Sequence, residues 1–170
     1  LEPSKKHVLF VAMRVNAPKK GFHYLENALA GLDKSTTELI IVGNAQDIPE
    51  LPLKTHKLGH INSPEKMIQI YQAADVFVTP SLEENLPNTI MEAMACGTPC
   101  VGFKVGGIPE MIDHTMNGYL AEYQSSEDLA KGLSWTLENA PEKAARQKAE
   151  SSYAEAIIAA KHVKYYTHVG

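Results

Sequence analysis

The sequence predicts a three-layer α/β/α domain built on a parallel sheet, and two observations carry the prediction. Short apolar runs suited to buried strands alternate with stretches of helical spacing, with no internal repeat and no low-complexity linker. Such alternation gives parallel strands joined by right-handed crossovers, with helices on both faces. Length agrees: a chain of 170 residues buries roughly 70% of its unfolded surface, enough for one core and too little for two full domains.

Taken in order, residues 7–12 (HVLFVA) read as the first strand, 22–32 as a helix and 37–43 (TELIIVG) as the second strand. Residues 45–53, with Pro49 and Pro52, read as a loop, 55–58 as a short strand, and 64–73 as a helix capped by Ser63 ahead of Pro64. VFVT (76–79) is a strand that Pro80-Ser81 breaks, and Pro87 suits the first turn of the helix that carries Glu92. A strand at 99–103, a short helix at 109–113 and a small strand near Tyr119-Leu120 follow. Ser125-Ser126-Glu127-Asp128 opens a helix over 126–139, and residues from Glu142 onward read as one long terminal helix.

The stretch ENLPNTIMEAMACGTPCVGF begins at Glu84 and holds a second acid, Glu92, eight positions on. Glu84 lies on the loop and Glu92 in about the second helical turn; side chains lean toward a helix N-terminus, so both acids are expected to rim one crevice. Between them the first-turn amides, at Asn88 and Thr89, form an anion site with the positive end of the helix dipole. A ligand joining phosphate to a polyhydroxylated group suits all three features, and a sugar nucleotide is such a ligand. In open parallel sheets ligands bind beyond the carboxyl ends of the strands, where strand order reverses. Arg14, His60, Glu84 and Gly106 all follow strands and belong to that edge.

These residues carry a family resemblance. The stretch resembles the Glu-x7-Glu signature of retaining glycosyltransferases of the GT-B fold, chiefly family 4 (group 1), and the chain resembles their C-terminal, donor-binding domain. FVAMRVNAPKKG, LIIVGNA, LGHIN, IYQAADVFVTPS, VGGIPEMI and NGYL follow in the family's order and span most of the chain. The resemblance implies a Rossmann-like half of a GT-B fold over 1–170, whose segment 142–170 leans on an absent N-terminal domain with Tyr165 and Tyr166 exposed. It implies that Arg14 and Lys20 bind the diphosphate, that Glu84 contacts the donor sugar or its phosphate, and that Glu92 holds the ribose hydroxyls. It also implies that Ile61 packs on the nucleobase and that Gly106 and Gly107 line the loop beside the sugar. Arg14, Lys20 and Glu84 are thus the candidate catalytic set; Glu92, Asn88, Thr89, Ile61, Gly106 and Gly107 bind the donor. Met13 stands where a Gly often precedes the Arg, and Asn85-Leu86 replaces the commoner Gly-Phe.

Each residue has a plainer role to set beside this one. Loop cations are usually solvated, Glu84 and Glu92 could simply complement the helix dipole, Gly106-Gly107 could be a tight turn, and His60 could be a structural loop residue. Lys19 competes with Lys20 for the diphosphate. Tyr153, Tyr165 and Tyr166 read as packing residues. Cys96 and Cys100 cannot build a disulfide framework and read as buried reduced thiols.

A net charge of −4 with scattered lysines gives no basic footprint, so nucleic acid is not an expected partner. No apolar run approaches the ~20 residues that span a bilayer, and no signal peptide is expected. A start at Leu1 suggests an excised piece of a longer protein. The expected function is retaining transfer of a sugar from a UDP- or GDP-linked donor to a hydroxyl of a glycan or glycolipid that the missing N-terminal domain binds. No metal or other cofactor is expected. The full-length protein is expected to be cytoplasmic, with peripheral association at the inner membrane face, and this chain alone to be inactive. The alternatives are a stand-alone nucleotide-binding module and a GT-B related sugar-nucleotide epimerase.

Overall fold

In the computed structural model, which describes residues 1–46 and 48–167 and side chains of the last helix only to residue 160 and at 163, the strands form one parallel sheet. The strands are β1 (Lys6–Arg14), β2 (Thr37–Asn44), β3 (Thr55–Lys57), β4 (Val76–Thr79), β5 (Cys100–Phe103) and β6 (Gly118–Ala121). Their order is β3-β2-β1-β4-β5-β6, all pairs parallel. After β1 the chain winds outward through β2 and β3, then returns to lay β4 against the other side of β1. The strand order therefore reverses between β1 and β4, and the crevice beyond their carboxyl ends is where such a sheet receives ligands.

Alternating side chains build two cores. Val8 and Phe10 of β1, Leu39 and Ile41 of β2, Val76 and Val78 of β4, and Val101 and Phe103 of β5 face helices α1 (Phe22–Leu29) and α5 (Ser126–Asn139). Leu9, Ile40, Phe77 and Cys100 lie in the opposite core with α2 (Pro64–Gln72), α3 (Asn88–Ala95), α4 (Ile108–Met111) and α6 (Glu142–Tyr153). Both faces of each central strand are covered, which is why these runs are apolar throughout rather than alternating.

Caps fall where the sequence places them. Ser63 Oγ accepts from Lys66 N at 3.3 Å and Ser125 Oγ from Asp128 N at 3.1 Å. Two expectations change. Pro87 does not lie in the first turn of α3; it is the residue before it, extended at ψ 115, and its carbonyl accepts from Ile90 N. The terminal segment is not one helix but two. Ala154 is extended at ψ 141, so α6 ends there and α7 (Glu155–Thr167) starts in a new direction. Helix α6 packs on this domain through buried Ala145 and Ala149, with Lys148 paired to Asp113 at 3.0 Å and Tyr153 Oη donating to the Glu110 carbonyl at 3.4 Å. The Tyr165 and Tyr166 side chains lie outside the described residues. Among the described residues no helix is long and apolar enough to cross a membrane.

Candidate functional site

Arg14 closes β1 with an exposed side chain that makes no ion pair among the described residues. The chain then makes a 3-10 turn, Pro18–Lys20, and turns into α1 at Gly21, whose φ of 61 is left-handed. A side chain at Gly21 would put its Cβ 2.0 Å from the Pro80 carbonyl oxygen. Leu82 N donates to Lys19 O at 2.8 Å. The cation-bearing loop after β1 is thereby zipped against the acid-bearing loop after β4.

That contact delivers Lys20 to Glu84: Lys20 Nζ lies 2.5 Å from Glu84 Oε1. Ser81 Oγ, fully buried, donates to the same oxygen at 2.9 Å and lies 3.2 Å from Thr79 Oγ1. Glu84 is largely covered, with a side-chain exposure of 16%. Lys19 turns the other way and pairs with the exposed Glu83 at 2.6 Å. Beneath the acid sits the loop after β5. Gly106 has φ 55, and a Cβ there would lie 1.6 Å from the Glu84 carbonyl oxygen; one on Gly107 would lie 2.1 Å from the Asn85 carbonyl oxygen. Gly107 N donates to Asn85 O at 2.6 Å. The two glycines therefore admit close approach of backbone to backbone, more than a turn alone requires.

Glu92 has partners of its own. It does not share partners with Glu84; it sits on an exposed face of α3 and lines a groove of 640 Å³ between α2 and α3, whose walls include Ile61, Met67, Tyr71 and Arg146. Tyr71 Oη donates to Glu92 Oε2 at 2.9 Å. Burial, then the adjacent Glu92 charge, raises the Tyr71 hydroxyl above its ordinary range, so it remains a donor. Ile61, half-buried, shares this groove, while exposed His60 lies on the far side of its loop against Met13, Gly43 and Asn44. Asn88 and Thr89 form the first turn of α3, whose amides lack intrahelical acceptors by helix geometry. The structure thus joins Lys20 to Glu84 over Gly106 and Gly107, sets Ile61 and Glu92 in one groove, and holds Arg14 exposed at the end of β1.

Ser81, Tyr71 and Gly21 escape a reading of the sequence. Ser81 leaves a local signal, three residues before Glu84; Tyr71 meets Glu92 only through packing of two helices, which spacing does not reveal. Cys96 is only half-buried, and Cys100 is the fully buried thiol, held well above its usual range by burial. Among the described residues no cluster of three or more His, Cys, Asp or Glu is arranged to hold a metal ion.

With this geometry in view, comparison with known proteins is decisive for the family. The model of the family "glycosyl transferases group 1" matches residues 5–139. The chain belongs to the group 1 glycosyltransferases. Among curated relatives of this glycosyltransferase chain, an uncharacterized glycosyltransferase of Methanocaldococcus jannaschii is 31% identical over 81% of this chain and 37% of its own length. The N,N'-diacetylbacillosaminyl-diphospho-undecaprenol alpha-1,3-N-acetylgalactosaminyltransferase of Campylobacter jejuni is 27% identical over 99% of this chain and 46% of its own. Sucrose-phosphate synthase of Thermosynechococcus elongatus matches in fold at a TM-score of 0.80 and 23% identity, over 99% of this chain and 46% of that one. Anabaena HepE in complex with UDP and glucose gives 0.77 and 26% identity, over 97% of this chain and 49% of that one. The fold is therefore the Rossmann-like half of a GT-B glycosyltransferase, and the chain spans less than half the length of these relatives.

Proposed function

We propose that this chain is the donor-binding half of a retaining glycosyltransferase, which moves a sugar from a nucleoside-diphosphate donor to a hydroxyl acceptor. The observation that carries the reading is the pairing of Lys20 with Glu84, a cation and an acid brought from two loops to the β1/β4 switch beside the start of α3.

In this reading the diphosphate lies on the Asn88 and Thr89 amides, clamped by the fork of Arg14 and the point charge of Lys20. Its arrival draws Lys20 off Glu84. Glu84, still anchored by Ser81, then turns its acceptor oxygens to the sugar hydroxyls or the adjoining phosphate. Glu92 accepts from the ribose diol, Ile61 packs on the base, and the Gly106–Gly107 loop flanks the sugar. As the glycosidic bond breaks, negative charge grows on the departing diphosphate, and fixed cations and amides stabilise it without reorganising. The reading needs no metal or other cofactor, and no side chain is assigned as nucleophile.

The base is uracil or guanine; HepE, a relative in fold and sequence, is complexed with UDP. The acceptor is a glycan or lipid-linked glycan held by a second unit. A lipid-linked acceptor accords with the Campylobacter relative's diphospho-undecaprenol substrate and calls for peripheral association of the whole enzyme at the inner, cytoplasmic face of the membrane.

Calorimetry with UDP, uridine, GDP and guanosine tests the reading. The cognate diphosphate is expected to bind about one to two decades more tightly than its nucleoside, the worth of a charge-assisted bond or two in a shielded site. Arg14→Ala removes most of that difference. Equal affinity for diphosphate and nucleoside in the parent chain overturns the assignment.

A further inference from the structure

Glu92 reaches its groove from an exposed face of α3. A glutamate there has three free torsions, and holding it still for a ligand costs rotamer entropy. Among the described residues, one side-chain hydrogen bond restrains it. Tyr71 is 1% exposed in the last turn of α2, its ring set edge-on to Phe77 with centroids 6.0 Å apart. Thr98 Oγ1 donates to the Tyr71 carbonyl at 2.6 Å, pinning the backbone beneath it. From this fixed base the Tyr71 hydroxyl donates to Glu92 Oε2 at 2.9 Å. Among the described residues Glu92 Oε1 has no hydrogen-bond partner, and both residues line the same groove as Ile61.

We infer that Tyr71 is a positioning residue for Glu92: it fixes one carboxylate oxygen so that the other is presented to the 2′- and 3′-hydroxyls, and thereby sets the preference for ribonucleotides over deoxyribonucleotides. The inference rests on the proposed role of Glu92. A ribose diol offers two O–H donors, and a carboxylate with one oxygen anchored keeps enough lone pairs for both. Burial, then the adjacent Glu92 charge, holds the phenol above its ordinary range, so Tyr71 stays the donor in this pair. A deoxyribose gives up one of the two bonds and gains nothing from the preset geometry.

The test measures binding of UDP and 2′-deoxy-UDP, and of GDP and 2′-deoxy-GDP, to the parent chain, Tyr71→Phe and Glu92→Gln, together with thermal midpoints. Tyr71→Phe keeps the ring and its packing on Phe77 and loses only the hydroxyl. It is expected to cut the ribo-to-deoxy affinity ratio by about three- to tenfold, a hydrogen bond's worth, while uridine base contacts and the folded state persist. A merely structural tyrosine would shift the midpoint and weaken both sugars alike. If Glu92→Gln flattens the ratio and Tyr71→Phe leaves it intact, the inference falls while the proposed role of Glu92 stands. If the parent chain shows no ribose preference, or binds neither ribonucleotide, both fall together.

Discussion

Gly106 has left-handed backbone against the Glu84 carbonyl, and an alanine there meets two obstacles at once: strain at φ 55 and a Cβ 1.6 Å from that oxygen. Left-handed strain alone costs about 1–3 kcal/mol, and relief of the overlap must displace the loop that carries Glu84. Gly106→Ala is therefore expected to lower the urea midpoint and, in chain that remains folded, to weaken UDP-sugar more than UDP, because the proposed role of Glu84 is toward the sugar. A variant with parent stability and parent affinities would show that the loop is not held by this contact. The dependence was half legible in the sequence. A Gly-Gly after a strand signals tight backbone, but its partner at Glu84 is more than twenty residues away and becomes visible only once β5 lies beside β4. The same limit hides Tyr71, whereas Arg14, Lys20, Glu84 and Glu92 stand out as candidates because each belongs to a local strand–loop–helix pattern. The choice between Lys19 and Lys20 was not readable, since adjacent residues on a 3-10 turn point apart and only the packed loop shows which one meets Glu84.

At the scale of elements, the sheet's two edges have opposite chemistry. The carboxyl edge carries the candidate site, and the amino edge carries a buried polar cluster where β1, β2 and β3 begin. Glu38, with 3% side-chain exposure, is bonded by His56 Nε2 at 2.7 Å and Lys54 Nζ at 2.9 Å. His7 lies between Glu38 at 3.7 Å and Asp75 at 3.8 Å, with His56 beyond Glu38 and Lys6 paired to Asp75. The hydrogen bond from His56, then that from Lys54, draws the Glu38 carboxyl down to about 2, and burial pushes His7 below its usual value of 6.5 despite the two carboxylates. Both signs run the same way. A depressed histidine contributes stability above pH 6.5 that is lost as the pH falls, and a depressed carboxyl contributes stability above 4.5 that is lost toward 2. The urea midpoint is expected to drop between about pH 7.5 and about pH 5.5, and the drop to shrink in His7→Gln. An identical drop in the variant would clear His7 of any part in it. These elements were plain in the sequence because β1, β2 and β4 are apolar on both faces and Ser63 and Ser125 announce their helices. The break at Ala154 was not, since alanine favours helix and no Gly or Pro marks the bend; docking of Tyr153 and Lys148 on the α4 region fixes where α6 stops.

Over the whole molecule, the described residues make one sheet with helices on both faces, and every candidate group lies along the carboxyl edge of that sheet. In the proposed reading the reaction centre lies between two such units, one for the donor and one for the acceptor; this chain covers 46% of the length of the Campylobacter transferase and 37% of the Methanocaldococcus protein. Orienting two reactants together can supply roughly 7–11 kcal/mol of a barrier. A unit that holds only the donor keeps its electrostatic contribution to the leaving diphosphate and forgoes that orientation, and it leaves the anomeric carbon open to water. The 170-residue chain is accordingly expected to bind the donor and transfer no sugar. Incubation with UDP- and GDP-linked sugars and a panel of hydroxyl acceptors, followed by mass spectrometry of products, should show at most slow release of free sugar. Acceptor glycosylation at about 1 s⁻¹ or faster, the ordinary range for an enzyme, would mean that this one sheet contains the entire reaction centre, and the donor-half assignment would have to be abandoned.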